Sequence, residues 1–167
     1  HCFRQCGSLA WMKKTIAARR YGRPVSSRAV FTFTASTRHR KWVFRARDAG
    51  GGPFHDVGVH GIDSLRWILG EDPVSVSAEM RPIPNRRVVE RDAVAILTFP
   101  SGVTGTIETS YRAPYHSTVE VVCEDARIEA VRGMGVHRGF VIVTRGDEIV
   151  ARQPFDNRRI YVDQLVE

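Results

Sequence analysis

The chain has 167 residues, of which 43% are hydrophobic and 26% charged, and this length and composition are typical of one globular domain. The apolar content is too high for a disordered protein, and no apolar run reaches the ~20 residues that a membrane-spanning helix requires. Three cysteines, Cys2, Cys6 and Cys123, are too few and too unevenly spaced for a disulfide framework. We therefore expect a single cytoplasmic domain without membrane segments.

Charge is distributed unevenly along the chain. Residues 1–47 contain 12 of the 25 Lys and Arg residues and no Asp or Glu, whereas the remainder contains 13 basic and 18 acidic residues. This asymmetry indicates an anionic partner that binds near residues 1–47, unless it only reflects a solvated Arg-rich surface. No zinc-finger, helix-turn-helix or aromatic RNA-binding motif is present, so we expect no nucleic-acid partner.

The first 70 residues predict helix, strand, loop and helix in that order. An apolar stripe at helical spacing predicts a first helix that starts at Gly7. Residues 24–35 are rich in Val, Phe and Thr, which favours a strand. A polar loop over 36–52 ends in three glycines, and Pro53 then marks the start of a second helix that runs to about Leu69.

The part of the chain after Pro73 predicts short strands separated by turn residues. Apolar and polar residues alternate along 103–111, which is typical of an antiparallel sheet with one buried and one solvent-exposed face. The sequence therefore predicts an α+β fold: a large, mostly antiparallel β-sheet with helices on one face. The predicted strands are 73–82, 92–99, 103–112, 117–123, 127–131, 139–145 and 148–153, with hairpin turns at 100–102 and 146–147.

The two predicted helices can cover only one face of this sheet. The other face is not cleanly polar, since in the strand 117–123 it includes Val122 beside Glu120. We therefore expect another copy of the chain to cover it and form a homo-oligomer.

Most candidate functional side chains lie in one segment, 50–63, with the sequence GGGPFHDVGVHGID. Asp56 and His60 lie four residues apart on the predicted helix, which places them side by side on one face. Gly58 and Gly61 each weaken a helix by roughly 1 kcal/mol, so they indicate a close approach of another part of the chain.

Spacing alone leaves more than one interpretation of Asp56 and His60. They form either a surface contact worth about 0.3 kcal/mol or a catalytic pair. In the catalytic pair the imidazole takes a proton from an alcohol, and the carboxylate orients the ring. Metal binding through His55 and this pair is disfavoured, because His55 and His60 point to different sides of the helix. Since Cys2 and Cys6 also lack a second ligand pair, we predict no metal site.

The order Asp56-x-Gly58-x-His60-x-x-Asp63 after a glycine run resembles the glucose–fructose oxidoreductase and inositol dehydrogenase (Gfo/Idh/MocA) family. Stretches 16–25 and 97–105 are similar to further parts of that family, and the resemblance extends from Phe3 to Tyr161. It covers the C-terminal substrate and oligomerisation domain, which has a dihydrodipicolinate-reductase-like fold. We therefore expect residues 1–167 to be one such domain of a longer oxidoreductase, truncated at both ends.

The resemblance implies an NAD(P)-dependent oxidoreductase that acts on a sugar, a cyclitol or a related polyol. His60 would be its acid/base, Asp56 the partner of His60 and a substrate contact, and Asp63 a structural residue. The family's nucleotide-binding domain, with its glycine fingerprint and its Glu-Lys-Pro segment, does not match any part of this sequence. NAD or NADP would therefore bind outside this chain, and we expect the chain alone to be inactive.

Residues of the polar loop are candidates for contact with the substrate, since the loop precedes the site helix. Arg40, Lys41 and Trp42 are predicted to border the pocket, together with Arg38 and His39. The alternative to a catalytic role for the whole chain is a non-catalytic oligomerisation or interaction module without a cofactor site of its own.

Overall fold

The computed structural model describes residues 1–36, 38 and 40–166, and the strands among them form one eight-stranded sheet. The strands are β1 (Pro24–Thr32), β2 (Ser75–Arg81), β3 (Asp92–Thr98), β4 (Thr104–Ser110), β5 (His116–Cys123), β6 (Arg127–Val131), β7 (Arg138–Arg145) and β8 (Glu148–Asp156). The α-helices are α1 (Gly7–Ala17), α2 (Ala46–Ala49), α3 (Val59–Leu69) and α4 (Ile160–Gln164). Two 3-10 helices and a π-helical turn before α3 complete the set: Cys2–Gln5, Lys41–Phe44 and Phe54–Gly58.

The strands follow the order β2-β3-β4-β1-β5-β6-β7-β8 across the sheet. Neighbouring strands are antiparallel except β1 and β4, which run parallel. The predicted α+β fold with a large, mostly antiparallel sheet is confirmed. The strands after Pro73 are not an uninterrupted run, however, because β1 is inserted between β4 and β5. Parallel neighbours need a long connection, and the one between β1 and β4 contains α2, α3, β2 and β3.

Observed bounds differ from the predicted ones mainly at the ends of strands. β1 ends at Thr32 rather than at residue 35, although the N–H groups of Phe33 and Ala35 still donate hydrogen bonds of 3.0 Å to the end of β4 and the residue after it. β8 extends to Asp156. The predicted hairpin turns are confirmed, since β3 pairs with β4 and β7 with β8, both antiparallel.

The core lies between the sheet and the helices α1 and α3. Fully buried side chains from both layers include Leu9, Met12, Leu65, Ile107 and Val121. A Cβ on Gly61 would lie 3.2 Å from the Cβ of Ala29 in β1, so α3 lies directly on the sheet. This confirms that a glycine in the helix marks a close approach. No helix among the described residues is long and apolar enough to cross a membrane.

A buried carboxylate fixes the start of the site helix. The N–H groups of Gly52 and Phe54 donate hydrogen bonds to the two oxygens of Glu90, at 3.0 and 3.1 Å. Glu90 is 3% exposed, and its charge faces the N-terminal end of the helix, which attracts anions. Only glycine fits at position 52, because a Cβ there would lie 2.0 Å from the carbonyl oxygen of Glu90.

The face of the sheet opposite α1 and α3 mixes charged and apolar side chains. Arg28 donates two hydrogen bonds of 2.7 Å to Glu108 across the strands β1 and β4. On β3 the side chains of Val94 and Ile96 are 46% and 47% exposed. This face is therefore not purely polar, and it leaves apolar area that another surface could bury.

We predict that Gly52→Ala destabilises the chain by about 3 kcal/mol, because the new methyl group meets backbone that cannot move away. Gly50→Ala is the matched comparison: a Cβ at Gly50 has open space, and only its φ of 72° opposes the change, at a cost of about 1 kcal/mol. Urea unfolding of both variants measures the difference. Equal midpoints for Gly52→Ala and the wild type would contradict the proposed contact with Glu90.

Candidate active site

A cavity of about 310 Å³ lies beside the start of the site helix and brings two predicted catalytic residues together. Both Asp56, in the π-helical turn, and His60, in the first turn of α3, line it. The complete lining is Phe3, Phe31, Phe33, Arg40, Asp56, Val57, His60 and Tyr161. The cavity therefore combines one carboxylate, one imidazole and one guanidinium with aromatic walls.

The side chain of Asp56 is held through one of its two carboxylate oxygens. Its Oδ2 accepts a hydrogen bond from the hydroxyl group of Tyr111 at 2.9 Å and a longer one from Nη2 of Arg40 at 3.4 Å. Its Oδ1 has no hydrogen-bond partner among the described residues. Burial, followed by the hydrogen bond to Asp56, raises the pKa of Tyr111, so the phenol remains a donor. The arrangement fixes the carboxylate and leaves one oxygen for a ligand.

His60 is partly buried, and its environment favours the neutral ring. Burial lowers the pKa of His60 below its ordinary value of 6.5, while the charges of Asp56 and Asp63 oppose this shift. The Nδ1 atom of His60 lies 3.4 Å from Nδ1 of His1, and Nε2 has no partner among the described residues. Near neutral pH the ring can therefore accept a proton.

Asp56 and His60 share the cavity as predicted, but within the described residues no hydrogen bond joins them. The spacing of four residues assumes an α-helix throughout, whereas Asp56 lies in a π-helical turn, where hydrogen bonds close over five residues. The carboxylate of Asp56 is directed by Tyr111 and Arg40 instead.

Of the five loop residues predicted to border the pocket, the structure places one in the cavity lining, and Arg38 is exposed and outside it. Arg40 lines the cavity, and the guanidinium carbon of Arg40 lies 5.3 Å from the ring centroid of Trp42. Trp42 is thus connected to the site through Arg40 and is about half exposed. Lys41 is exposed and is not part of the lining. His39 lies outside the described residues.

Asp63 anchors the N-terminal segment rather than the cavity. Its side chain is buried and accepts hydrogen bonds from Nε and Nη2 of Arg4, at 2.9 and 2.6 Å. This pair ties the 3-10 helix Cys2–Gln5 to α3, and Phe3 of that helix packs 4.6 Å from the ring of His60. The geometry supports a structural role for Asp63.

Sequence reasoning did not identify Tyr111 or the aromatic walls. Tyr111 follows Thr109 and Ile107 in the alternation of β4, which places it on the covered face. The alternation predicts the face of the sheet on which Tyr111 lies but not its contact with Asp56, because Asp56 precedes Tyr111 by 55 residues.

A larger cavity, of about 610 Å³, lies at the other end of the helices, where the C-terminal residues of α1 and α3 meet the turn between β3 and β4. Its two carboxylates are engaged: Glu71 with Ser101, and Glu124 with Arg23. No histidine or cysteine lines it. The larger volume of this cavity is therefore not matched by a group suited to proton transfer. Among the described residues no group of three or more His, Cys, Asp or Glu side chains could hold a metal ion.

We predict that Asp56→Asn lowers the pKa of His60 further, because the substitution removes the negative charge that opposes burial. Tyr111→Phe keeps that charge and should leave the pKa of His60 closer to that of the wild type. NMR titration of the ring C–H signals of His60 measures both. A higher pKa in Asp56→Asn would show that the carboxylate does not act on the imidazole.

The fold has close counterparts among solved oxidoreductases. It superposes on aldose-aldose oxidoreductase from Caulobacter crescentus, complexed with glycerol, with a TM-score of 0.82 and 22% identity, covering 99% of this chain and 51% of that one. Levoglucosan dehydrogenase in complex with NADH and levoglucosan gives a TM-score of 0.72 at 22% identity, covering 93% of this chain and 45% of that one. At this identity the likeness shows the fold.

Sequence comparison identifies the family. The chain is 28% identical over 123 residues to 1,5-anhydro-D-fructose reductase of Ensifer adhaerens, covering 71% of this chain and 36% of the relative. It thus spans about a third of that relative's length. Residues 9–129 match the GFO/IDH/MocA C-terminal domain, which is most of the chain. The chain belongs to the GFO/IDH/MocA oxidoreductase family, and it corresponds to that family's C-terminal domain.

Proposed function

We propose that this chain is the substrate domain of an NAD(P)-dependent oxidoreductase that acts on a sugar, a cyclitol or a related polyol. The observation that carries the proposal is the cavity that Asp56 and His60 share, where burial lowers the pKa of His60. A neutral imidazole beside a fixed carboxylate is suited to take the proton of a substrate hydroxyl group.

The proposed role of His60 is proton transfer at Nε2, the ring nitrogen without a described partner. As the hydroxyl group becomes a carbonyl, its proton moves to Nε2, and the imidazolium that forms is stabilised by the charges of Asp56 and Asp63. In the reverse direction the imidazolium returns this proton to the oxygen. The same nitrogen therefore serves as base and as acid.

Asp56 contributes position as well as charge. Tyr111 and Arg40 hold its Oδ2, so Oδ1 is left to accept a hydrogen bond from a substrate hydroxyl group. The aromatic rings of Phe3, Phe31 and Phe33 line the same cavity and offer flat apolar surfaces to the C–H faces of a sugar ring. Lys41 and Trp42 stay proposed contacts at the cavity edge.

The described residues do not fit a nicotinamide dinucleotide. Such a cofactor is bound by parallel strands alternating with helices and by a glycine loop at a helix N-terminus. Here the sheet is mostly antiparallel, the glycines at 50–52 place their helix start against the carboxylate of Glu90, and the loop Gly133-Met134-Gly135 is buried and hydrogen-bonded to Ser117. The redox half of the reaction belongs to NAD or NADP bound outside these residues, and we assign this chain only the proton. The NADH held by levoglucosan dehydrogenase supports this cofactor class.

In the full-length oxidoreductase that we expect to carry this chain, His60→Ala should lower kcat by ~10²–10⁴-fold, the usual contribution of a general acid/base. Asp56→Asn should lower it less, because an amide still forms hydrogen bonds but does not stabilise an imidazolium. Formation of reduced nicotinamide with a panel of sugars and cyclitols measures both rates.

His55→Ala is the matched control, since His55 precedes His60 by little more than one turn but is exposed and outside the cavity lining. It should keep the wild-type kcat. Unchanged turnover in His60→Ala would reject the assignment. Absence of any oxidation across the panel would favour a non-catalytic oligomerisation module instead.

We also propose a homo-oligomer in which a second copy covers the open sheet face. The half-exposed Val94 and Ile96 lie there beside the paired charges of Arg28 and Glu108, so the face offers apolar and polar area together. An interface between identical copies needs such a self-complementary surface.

We predict that the chain has about twice its 18.8 kDa mass or more in light scattering, and that Ile96→Arg reduces the mass to that of one copy. The control Ile83→Arg changes a residue that is 71% exposed outside the strands, and it should keep the oligomer. A wild-type monomer at micromolar concentration would rule out this interface.

A further inference from the structure

The guanidinium group of Arg40 lies at the cavity, and most of its N–H donors have no hydrogen-bond partner among the described residues. Its only hydrogen bond among the described residues is the one from Nη2 to Oδ2 of Asp56, at 3.4 Å. That oxygen already accepts a bond of 2.9 Å from Tyr111. The remaining N–H donors of Arg40 have no partner among the described residues, although the side chain lines the cavity.

Other arginine–carboxylate pairs in this chain are built differently. Two nitrogens of Arg4 donate hydrogen bonds of 2.9 and 2.6 Å to the carboxylate of Asp63. Two nitrogens of Arg28 likewise donate hydrogen bonds of 2.7 Å to the carboxylate of Glu108. Two parallel bonds are the arrangement that a guanidinium group favours with a carboxylate. Arg40 and Asp56 do not adopt it, so pairing with Asp56 does not account for the position of Arg40.

Aromatic rings hold the guanidinium group at the cavity edge. The guanidinium carbon of Arg40 lies 5.8 Å from the ring centroid of Phe33 and 5.3 Å from that of Trp42. Contact with aromatic faces restrains the plane of the group while its N–H edge stays free for hydrogen bonds.

The chain segment that carries Arg40 is rich in basic residues. Residues 36–47 contain five basic side chains and no acidic one: Arg38, Arg40, Lys41, Arg45 and Arg47. Arg40 alone among them lines the cavity, so the lining contains one guanidinium group. A planar guanidinium group binds a carboxylate through two parallel hydrogen bonds, and the described lining holds no second lysine or arginine to balance the additional charge of a phosphate group.

We propose that Arg40 selects a substrate that carries a carboxylate, such as an aldonate or a uronate, over a neutral sugar. This inference rests on the proposed function. The substrate's carboxylate would receive the unused N–H donors of Arg40 while its hydroxyl group lies between Oδ1 of Asp56 and Nε2 of His60. The basic segment 36–47 would offset the negative charge of Asp56 nearby.

The test compares kcat/KM of the full-length oxidoreductase for D-glucuronate and D-gluconate with that for D-glucose and D-glucitol, with D-glucose 6-phosphate as a further arm. Wild-type enzyme should prefer the acids. Arg40→Gln should lower the ratio of kcat/KM for the acids to kcat/KM for the neutral sugars by at least about tenfold, the value of a hydrogen-bonded charge pair, because loss of the contact with Asp56 affects both substrate classes alike.

Arg47→Gln is the matched control, because it removes a charge from the same segment at an exposed position outside the lining. It should leave the preference for acids intact. Wild-type preference for the neutral sugars or for the sugar phosphate, or an equal loss for all substrates in Arg40→Gln, would overturn the inference while the proposed function stands. No oxidation of any substrate would overturn both.

Discussion

The carboxylate of Glu90, buried at the start of the site helix, accepts hydrogen bonds from the backbone N–H groups of Gly52 and Phe54. These donors belong to the first turn of a helix, where no intrahelical acceptor exists, and an anion there also interacts favourably with the helix dipole. The chain can come this close only because position 52 lacks a side chain. Asp56 follows four residues after Gly52, and its N–H donates a hydrogen bond to the carbonyl oxygen of Gly52, so the backbone position of Asp56 depends on this anchor.

A second constraint acts further along the same helix. Gly61 rests on Ala29 of β1, which brings α3 against the parallel strands at the centre of the sheet. The end of β4 then carries Tyr111 to the carboxylate of Asp56. The insertion of β1 beside β4 thus serves the site: it provides the surface on which the helix lies, and its C-terminal end supplies Phe31 to the cavity wall.

The three titratable or charged groups of the cavity are in different environments. Asp56 accepts a hydrogen bond from a phenol whose pKa is raised, burial lowers the pKa of His60, and Arg40 keeps N–H donors that have no partner among the described residues. An Asp56 carboxylate neutralised by a tight bidentate arginine would stabilise an imidazolium less well. The long contact between Arg40 and Asp56 therefore suits both the proposed proton transfer at His60 and the proposed recognition of a substrate carboxylate.

Much of this arrangement could be predicted from local sequence. Alternation along β4, the glycine run before Pro53 and the spacing of Asp56 and His60 are short-range patterns, and each of them gave an element or a pair that the structure contains. The position of β1 and the partners of Asp56 could not be predicted in this way. Tyr111 and Glu90 reach the site through pairing of strands distant in the chain, and the π-helical turn at Asp56 has no sequence pattern of its own.

The claim on which the account depends is that His60 must be unprotonated to accept the substrate's proton. The most direct measurement is the pH dependence of kcat/KM for the full-length oxidoreductase. Because burial lowers the pKa of His60 below its ordinary value of 6.5, the midpoint of the acidic limb of kcat/KM should lie below pH 6.5, and the limb should approach unit slope on a logarithmic scale as the ring gains a proton. In His60→Ala this acidic limb should disappear from the residual activity. An acidic limb that is unchanged in His60→Ala would contradict the assignment of His60 as the base.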